Sequence, residues 1–173
     1  MLNIREITPS DLAVIVEVDP YVPIAARTFS APIGAVFYRV GNFETSLVEV
    51  PIDPLTGTVR GIKLVCIDRV GTAIDDRALP LQQGLPVAAQ ESIPQWRQDE
   101  NREVTAVLTE DRLVIDWSNG QQLDTKAVHG RLSFLIGGGA LLGAVIESLT
   151  KAEHQSLLAH MPSAVPTPVS PSS

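Results

Sequence analysis

Three histidines, one cysteine and twenty acidic residues are the groups in this 173-residue chain whose chemistry could carry a reaction. A zinc site needs three or four ligands at close spacing. His129, His154 and His160 form neither an HExxH nor an HxxxH pair. Cys66 is the only cysteine, which excludes an intramolecular disulfide and a cysteine-built zinc site. As a nucleophile it would need a base beside it. Its expected strand neighbours are Ile62 and Leu64, so it reads as a buried, inert thiol. No GxSxG elbow occurs. Two carboxylates hydrolyse a glycoside only when they share a cleft. Asp75-Asp76 and Glu110-Asp111 are adjacent pairs, which point apart in extended backbone and read as turn and loop charges. No catalytic, metal or cofactor residue is assigned, and the chain is expected not to be an enzyme.

The one cofactor-like stretch is "RLSFLIGGGALLGAVIESLT". Gly137, Gly139 and Gly143 follow an apolar run, but the dinucleotide fingerprint wants its third glycine where Leu142 stands. No further strand follows to supply an acidic ribose contact, and no Walker lysine follows either. The glycines read as structural. Leu132 to Ile146 is 15 residues and ends at Glu147, short of the roughly 20 a membrane span requires. Two strands around Gly137-Gly138-Gly139 are preferred to a strand followed by a helix, and residues 137–149 stay open between the two.

Charge says more about partners than about chemistry. The net charge is −7, and residues 99–124 hold seven acids against Arg102 and Arg112. Nucleic acid is not expected as a ligand, because binding it requires lysine and arginine to displace counterions. An acidic surface favours a basic protein partner and speeds encounter with it. The residues assigned to that surface are Trp96, Asp99, Glu100, Glu103, Glu110 and Asp111. The start, "MLNIREITPSD", carries charge and no long apolar run, so no secretory leader is expected. One cysteine fits a reducing compartment, and the cytoplasm is the expected location.

The elements that would position such a surface are strands. "LAVIVEV" (residues 12–18) reads as a short buried strand, and Pro20, Pro23 and Pro32 make 19–32 an extended loop. "IGAVFYRVG" (33–41) is a second strand, turned by Gly41-Asn42 into "SLVEVPIDPLTGTVRGIKLVCID". There Asp53, Pro54 and Gly57 supply turn chemistry. Facing Ile52 with Thr58 pairs Val48 with Ile62, puts Val48, Ile62, Leu64 and Cys66 on one face, and leaves Glu49 and Lys63 as diagonal neighbours on the other. Residues 69–103 are irregular, with a short strand at "LPVAAQ" and an exposed loop around Trp96. "VTAVL" and "RLVIDW" flank a Glu110-Asp111 turn, and Asn119-Gly120 leads to a third strand near 122–128. Thr150 and Glu153 form a capping box that starts a helix over 151–161, with Leu157, Leu158 and Met161 at helical spacing. No internal repeat is found, though two meanders in one chain could stack as related sheets. Residues 162–173 are Pro/Ser-rich and expected to be disordered.

The run "GAVFYRVG…SLVEVPIDPLTGTVRGIKLV", the hairpin "VLTEDRLVIDW" and the closing "ESLTKAEHQSLL" resemble small acidic bacterial immunity proteins of polymorphic or Rhs-type toxin systems. The resemblance implies a sheet-rich fold that neutralises a cognate toxin by binding it, and it transfers no individual residue. The expected fold is α+β and mostly antiparallel β: two β-meanders with one C-terminal helix, forming one domain over residues 1–161. The expected function is a non-enzymatic protein-binding module, with a structural or assembly protein (a phage or secretion-system component) or a small-molecule-binding domain as alternatives.

Overall fold

Alternating apolar and polar residues fold into strands with one face buried. In β5 (Leu47–Ile52) the side chains of Val48, Val50 and Ile52 are fully buried while those between them are half-buried. The structure, a computed structural model, describes residues 1–28 and 34–162. Before β5 come β1 (Ile4–Thr8), β2 (Val14–Glu17), β3 (Ile24–Thr28) and β4 (Val36–Gly41), and after it β6 (Gly61–Cys66). A connector follows with a 3-10 turn at Asp76–Ala78, then β7 (Leu81–Gln83) and β8 (Leu85–Ala88). It continues through a second 3-10 turn at Gln90–Ser92 to β9 (Arg97–Asn101). The last elements are β10 (Thr105–Leu108), β11 (Leu113–Asp116), β12 (Thr125–His129), β13 (Leu132–Gly137), β14 (Ala140–Ile146) and the helix α1 (Lys151–Leu158).

Two six-stranded sheets result, ordered β2-β3-β6-β5-β4-β9 and β10-β11-β14-β13-β12-β7. These are one topology used twice. Each has a hairpin (β2-β3, β10-β11) and a three-strand meander (β4-β5-β6, β12-β13-β14) whose last strand docks antiparallel on the second hairpin strand. On the far edge of each meander lies a parallel strand taken from the connector: β9 beside β4, and β7 beside β12. Because β7 precedes β9 in the chain, the connector supplies the strand for the second sheet before the strand for the first. β1 pairs with β8 in a separate two-stranded sheet, and Asn3 bridges to Ala140. One contiguous apolar cluster draws on both large sheets, among them Tyr38, Val50 and Leu64 of the first and Phe134, Leu141 and Ile146 of the second. Trp117 is fully buried in it and satisfies its indole by donating from Nε1 to the Leu141 carbonyl at 2.9 Å.

The mostly antiparallel β fold with one C-terminal helix is as expected, and so is the meander over β4-β5-β6. Several details differ. The repeat of topology is carried by no repeat of sequence. Residues 24–28, expected as loop, form β3: prolines 20 and 23 precede the strand, where a missing N–H costs nothing, and Ile24, Ala26 and Thr28 then alternate inward. Residues 97–101, also expected as loop, form β9. The second meander is β12-β13-β14, because the strand after Asn119-Gly120 crosses to the far side of β13 instead of pairing with β11. In the first hairpin Val48 pairs with Leu64, two residues from the expected register. Pro51 cannot donate to the ladder, and Arg60 stands beside it as the extra residue of a bulge between the Ile52–Val59 bridge and the Glu49–Lys63 pair. A shift of two keeps each side chain on its expected face, so Glu49 and Lys63 become direct partners at 3.6 Å. Residues 132–146 are two strands, the preferred reading. The capping box is present, with Thr150 Oγ1 accepting from the Glu153 N–H at 3.1 Å and Glu153 Oε2 from the Thr150 N–H at 2.9 Å. The expected tail beyond Pro162 lies outside the described residues. Among the described residues no helix is long and apolar enough to cross a membrane.

The turn between β13 and β14 is made by Gly138 and Gly139, both at positive φ (57° and 75°). A side chain there forces an L-residue into the left-handed region at about 1–2 kcal/mol each. Gly138→Val and Gly139→Val should each lower the unfolding free energy by about that much in urea titration, with the double variant near the sum. Neither should alter binding of any nucleotide, as a phosphate-cradling loop would require.

Candidate functional site

The six residues assigned to an acidic surface are not gathered on one face. Trp96 stands just before β9, 65% exposed, with the Arg97 guanidinium 4.5 Å from its ring centre. β9 lies parallel to β4 with Asp99 opposite Arg39 and Glu100 opposite Val40. Neighbouring strand residues point to opposite faces, so Asp99 and Glu100 part company. Asp99 faces outward between Arg39 (3.2 Å) and Arg97 (3.3 Å). Glu100 turns inward, where it accepts from the Tyr38 hydroxyl at 2.8 Å and meets the Met1 amino group at 2.9 Å and Arg102 at 3.4 Å. Burial alone would raise its pKa. The hydrogen bonds from the amino group and Tyr38 outweigh that and hold the carboxyl below the usual range. Burial and the same carboxylate push the Tyr38 phenol strongly upward. Glu103 pairs with Arg69 at 3.2 Å at one end of the β10-β11 hairpin. Glu110 and Asp111 form the turn at the other end. Trp96, Asp99 and Glu100 lie along one edge, that of the first sheet, and of these Glu100 points inward.

A charged site that sequence reasoning missed lies on the outer face of the second sheet. Asp76, fully buried, accepts from Arg112 Nη2 at 2.6 Å and from Lys126 Nζ at 2.8 Å. Glu147 accepts from the same two nitrogens at 3.2 and 3.1 Å. Arg112 and Glu147 extend the register of β11 and β14, and Lys126 sits on β12. All three alternate with core residues and so project outward, while Asp76 comes down onto them from the connector. Segment 69–80 forms a strap: Val70 bridges in parallel to Ala106, and Ile74 and Leu79 pack on Val114, Leu135 and Val145. Those three are 0–5% exposed as a result. Burial alone would raise the Asp76 pKa, but the hydrogen bonds and charges of Arg112 and Lys126 hold it below the usual carboxylate range. The Arg112 guanidinium is pushed up by the same contact. Two cations and two carboxylates cancel. The cluster fastens the strap. Asp75-Asp76 was expected as a pair of loop charges, and only Asp75 is one. The one signal available was Lys126 before Ala127-Val128 and Arg112 before Leu113-Val114-Ile115, cations set beside apolar strand residues.

The corresponding face of the first sheet carries no such strap among the described residues. Asp99, Arg39, Glu49 and Lys63 cross it in one row over β9, β4, β5 and β6, alternating in sign. Beside the row runs a groove of about 270 Å³. Phe37, Pro51, Ala25 and the edge of Ile62 line it, with Arg27, Arg60 and Lys63 around its rim. Arg60 is anchored through Nη2 to Asp53 at 3.0 Å, and its Nε is buried without a hydrogen-bond partner.

The remaining reactive groups are dispersed. His129 contacts the Leu12 carbonyl and His160 the Asp19 carbonyl. Cys66 is half-buried, and burial together with Asp68 pushes its thiol upward, away from the reactive thiolate. Among the described residues no cluster of three histidine, cysteine, aspartate or glutamate side chains is placed to hold a metal ion. No protein-family model matches the chain, and no curated protein matches it.

Removing one partner of a buried ion cluster strands the others, at about 3–5 kcal/mol. Asp76→Asn should therefore destabilise the protein by that order at pH 7 in urea unfolding. Because the folded pKa of Asp76 is depressed, its stabilisation is fully present above the unfolded value of about 3.9. It is lost as pH falls through the folded pKa. The gap between wild type and Asp76→Asn should be constant from neutrality down to about pH 5 and close below about pH 4.

Proposed function

We propose that the protein is a non-enzymatic protein-binding module whose docking surface is the outer face of the first sheet. The observation that carries this reading is the contrast between two sheets of one topology. The second has its outer face sealed by the chain's own strap, whereas the first leaves Phe37 and Pro51 half-exposed in a groove. A sheet face held on both sides by hydrogen-bonded neighbours is a rigid platform, so docking on it costs little ordering entropy. Trp96, at the β9 edge beside Phe37, adds an exposed aromatic of the type enriched among binding hot spots.

Within that class the resemblance in sequence favours an immunity protein acting in the bacterial cytoplasm, which neutralises a cognate toxin by direct binding. Asp99 belongs to the proposed surface. Glu100 does not, because its carboxylate is committed to Tyr38, Met1 and Arg102.

Phe37→Thr keeps a strand-forming residue while removing the aromatic wall of the groove. Affinity capture from source-cell lysate with tagged wild type should yield one stoichiometric partner. The variant, at unchanged melting temperature, should bind the purified partner at least about tenfold more weakly, equivalent to ~1.4 kcal/mol. Co-expression of the wild type should relieve growth arrest caused by that partner. A partner bound equally by Phe37→Thr would rule out this face, and a partner without toxicity would rule out the immunity role.

A further inference from the structure

The outer strands of the two large sheets are not equally closed. β7 and β9 are mostly polar or charged, with sequences LQQ and RQDEN. β10 is covered along its edge. Its Ala106 N–H donates to the Arg69 carbonyl at 3.1 Å, and its Ala106 carbonyl accepts from the Gly71 N–H at 2.9 Å. β2 holds the same topological place in the first sheet that β10 holds in the second, and its sequence is VIVE. An apolar strand at the edge of a sheet is a template for a further strand.

The pairing of β3 shows which groups of β2 face that edge. Thr28 donates its N–H to Arg60, on the β6 side. Backbone groups of successive strand residues point to opposite sides, so Arg27 and Ala25 serve β2, opposite Ile15 and Glu17. The N–H and carbonyl groups of Val14 and Val16 therefore point away from β3, as those of Ala106 point away from β11. Their side chains pack on the core, again as Ala106 does. Among the described residues no backbone group takes the place of Arg69 and Gly71 beside them. The open stretch is bounded by His129 on the Leu12 carbonyl and by His160 on the Asp19 carbonyl.

The flanking side chains give the occupant its chemistry. Asp11 and Asp19 stand exposed at the two ends of β2. Glu17 is matched by Arg27 at 2.8 Å. Asp11 and Asp19 have no cationic side chain paired with them among the described residues, and Asp19 Oδ1 accepts from the Tyr21 N–H. A second copy of the chain fits this edge badly. Antiparallel pairing with Val14 opposite Val16 sets Asp11 opposite Asp19, and like charges across a pair repel.

We infer that the β2 edge receives an extended segment of a partner protein in which aliphatic residues alternate with lysine or arginine. Its backbone completes the hydrogen bonding of Val14 and Val16. Its aliphatic side chains continue the row of Val14 and Val16 over the core, and its cations meet Asp11 and Asp19. This inference rests on the binding-module reading above but not on the groove, to which it adds a contact along the sheet edge.

The test is a selection of displayed random dodecapeptides on the intact chain, with Val16→Pro as the counter-target. The Val16 N–H points out of the sheet, so proline there removes no β2–β3 bond, and edge strands tolerate it. Asp11→Lys/Asp19→Asn is the second variant, in which asparagine keeps the oxygen that accepts from Tyr21. Thermal melting checks that each folds; if Val16→Pro does not, the charge variant replaces it as counter-target. Enriched peptides should alternate valine, isoleucine or leucine with lysine or arginine. As synthetic peptides they should bind each variant at least about tenfold more weakly than wild type. N-methylation of alternate peptide residues should abolish binding in one parity and spare it in the other. In hydrogen exchange on wild type, bound peptide should slow the Val14 and Val16 amides. No enrichment over the counter-target, enrichment of acidic or patternless peptides, binding unchanged by the charge variant, or unprotected Val14 and Val16 amides would each overturn the inference. So would self-association of the chain that Val16→Pro abolishes. A captured partner that needs Phe37 but leaves those two amides unprotected would keep the binding module and refute the edge. Basic peptides seated on the edge, with no partner captured, would do the opposite.

Discussion

A carboxylate removed from water must be matched by cations or be protonated, and Asp76 is matched by two. That requirement organises the second half of the molecule. Arg112 and Lys126 would be as costly alone as Asp76 would be, so the three, with Glu147, are held in place together. The contact joins residues far apart in sequence and fixes the strap from above. With the strap fixed, Val114, Leu135 and Val145 are sealed, and the central strands β11, β13 and β14 are buried on both faces. Among the described residues the first sheet shares the topology but not the strap, and Phe37 and Pro51 stay half-exposed on its outer face.

The two sheets also differ in how they treat charge. The outer row of the first sheet alternates in sign across four strands, so each ion pair is lateral and half-exposed. Such pairs contribute little to stability. They do keep a flat face hydrated and in register, which suits a surface that must remain available. In the second sheet the charges converge on one buried point, which suits a permanent closure.

Local pattern made much of the fold legible in the sequence. The hairpin around Asp53 and Gly57, the β10-β11 hairpin with Ala106, Ile115 and Trp117 on one face, the Gly138-Gly139 turn and the Thr150–Glu153 capping box all follow from residues within a few positions of each other. What escaped depends on distance. β9 is made of Arg, Gln, Asp, Glu and Asn, a composition with no strand preference, and it is a strand because β4 offers it an edge. β3 was masked by its flanking prolines. The exchange of β12 from the hairpin side to the far side of β13 leaves no local mark, and neither does the repeat of topology, since strand order is a property of pairing and not of composition. The candidate site follows the same rule. The inward turn of Glu100 and the burial of Asp76 were not legible, because their partners, Tyr38 and Met1 in one case and Arg112 and Lys126 in the other, lie 36 or more positions away.

The crossed connector bears on how the molecule comes into being. Each half takes its last strand from the stretch between the halves, and each of those strands is parallel, so neither can form by a simple hairpin. During synthesis the first sheet emerges with β4 unpaired along one side and stays so until β9 has been made. A half-made chain therefore presents a bare edge of the kind that invites pairing with another chain. The protein is thus two copies of one architecture interleaved in the chain, with one strand of the later copy, β7, made before the last strand of the earlier copy, β9.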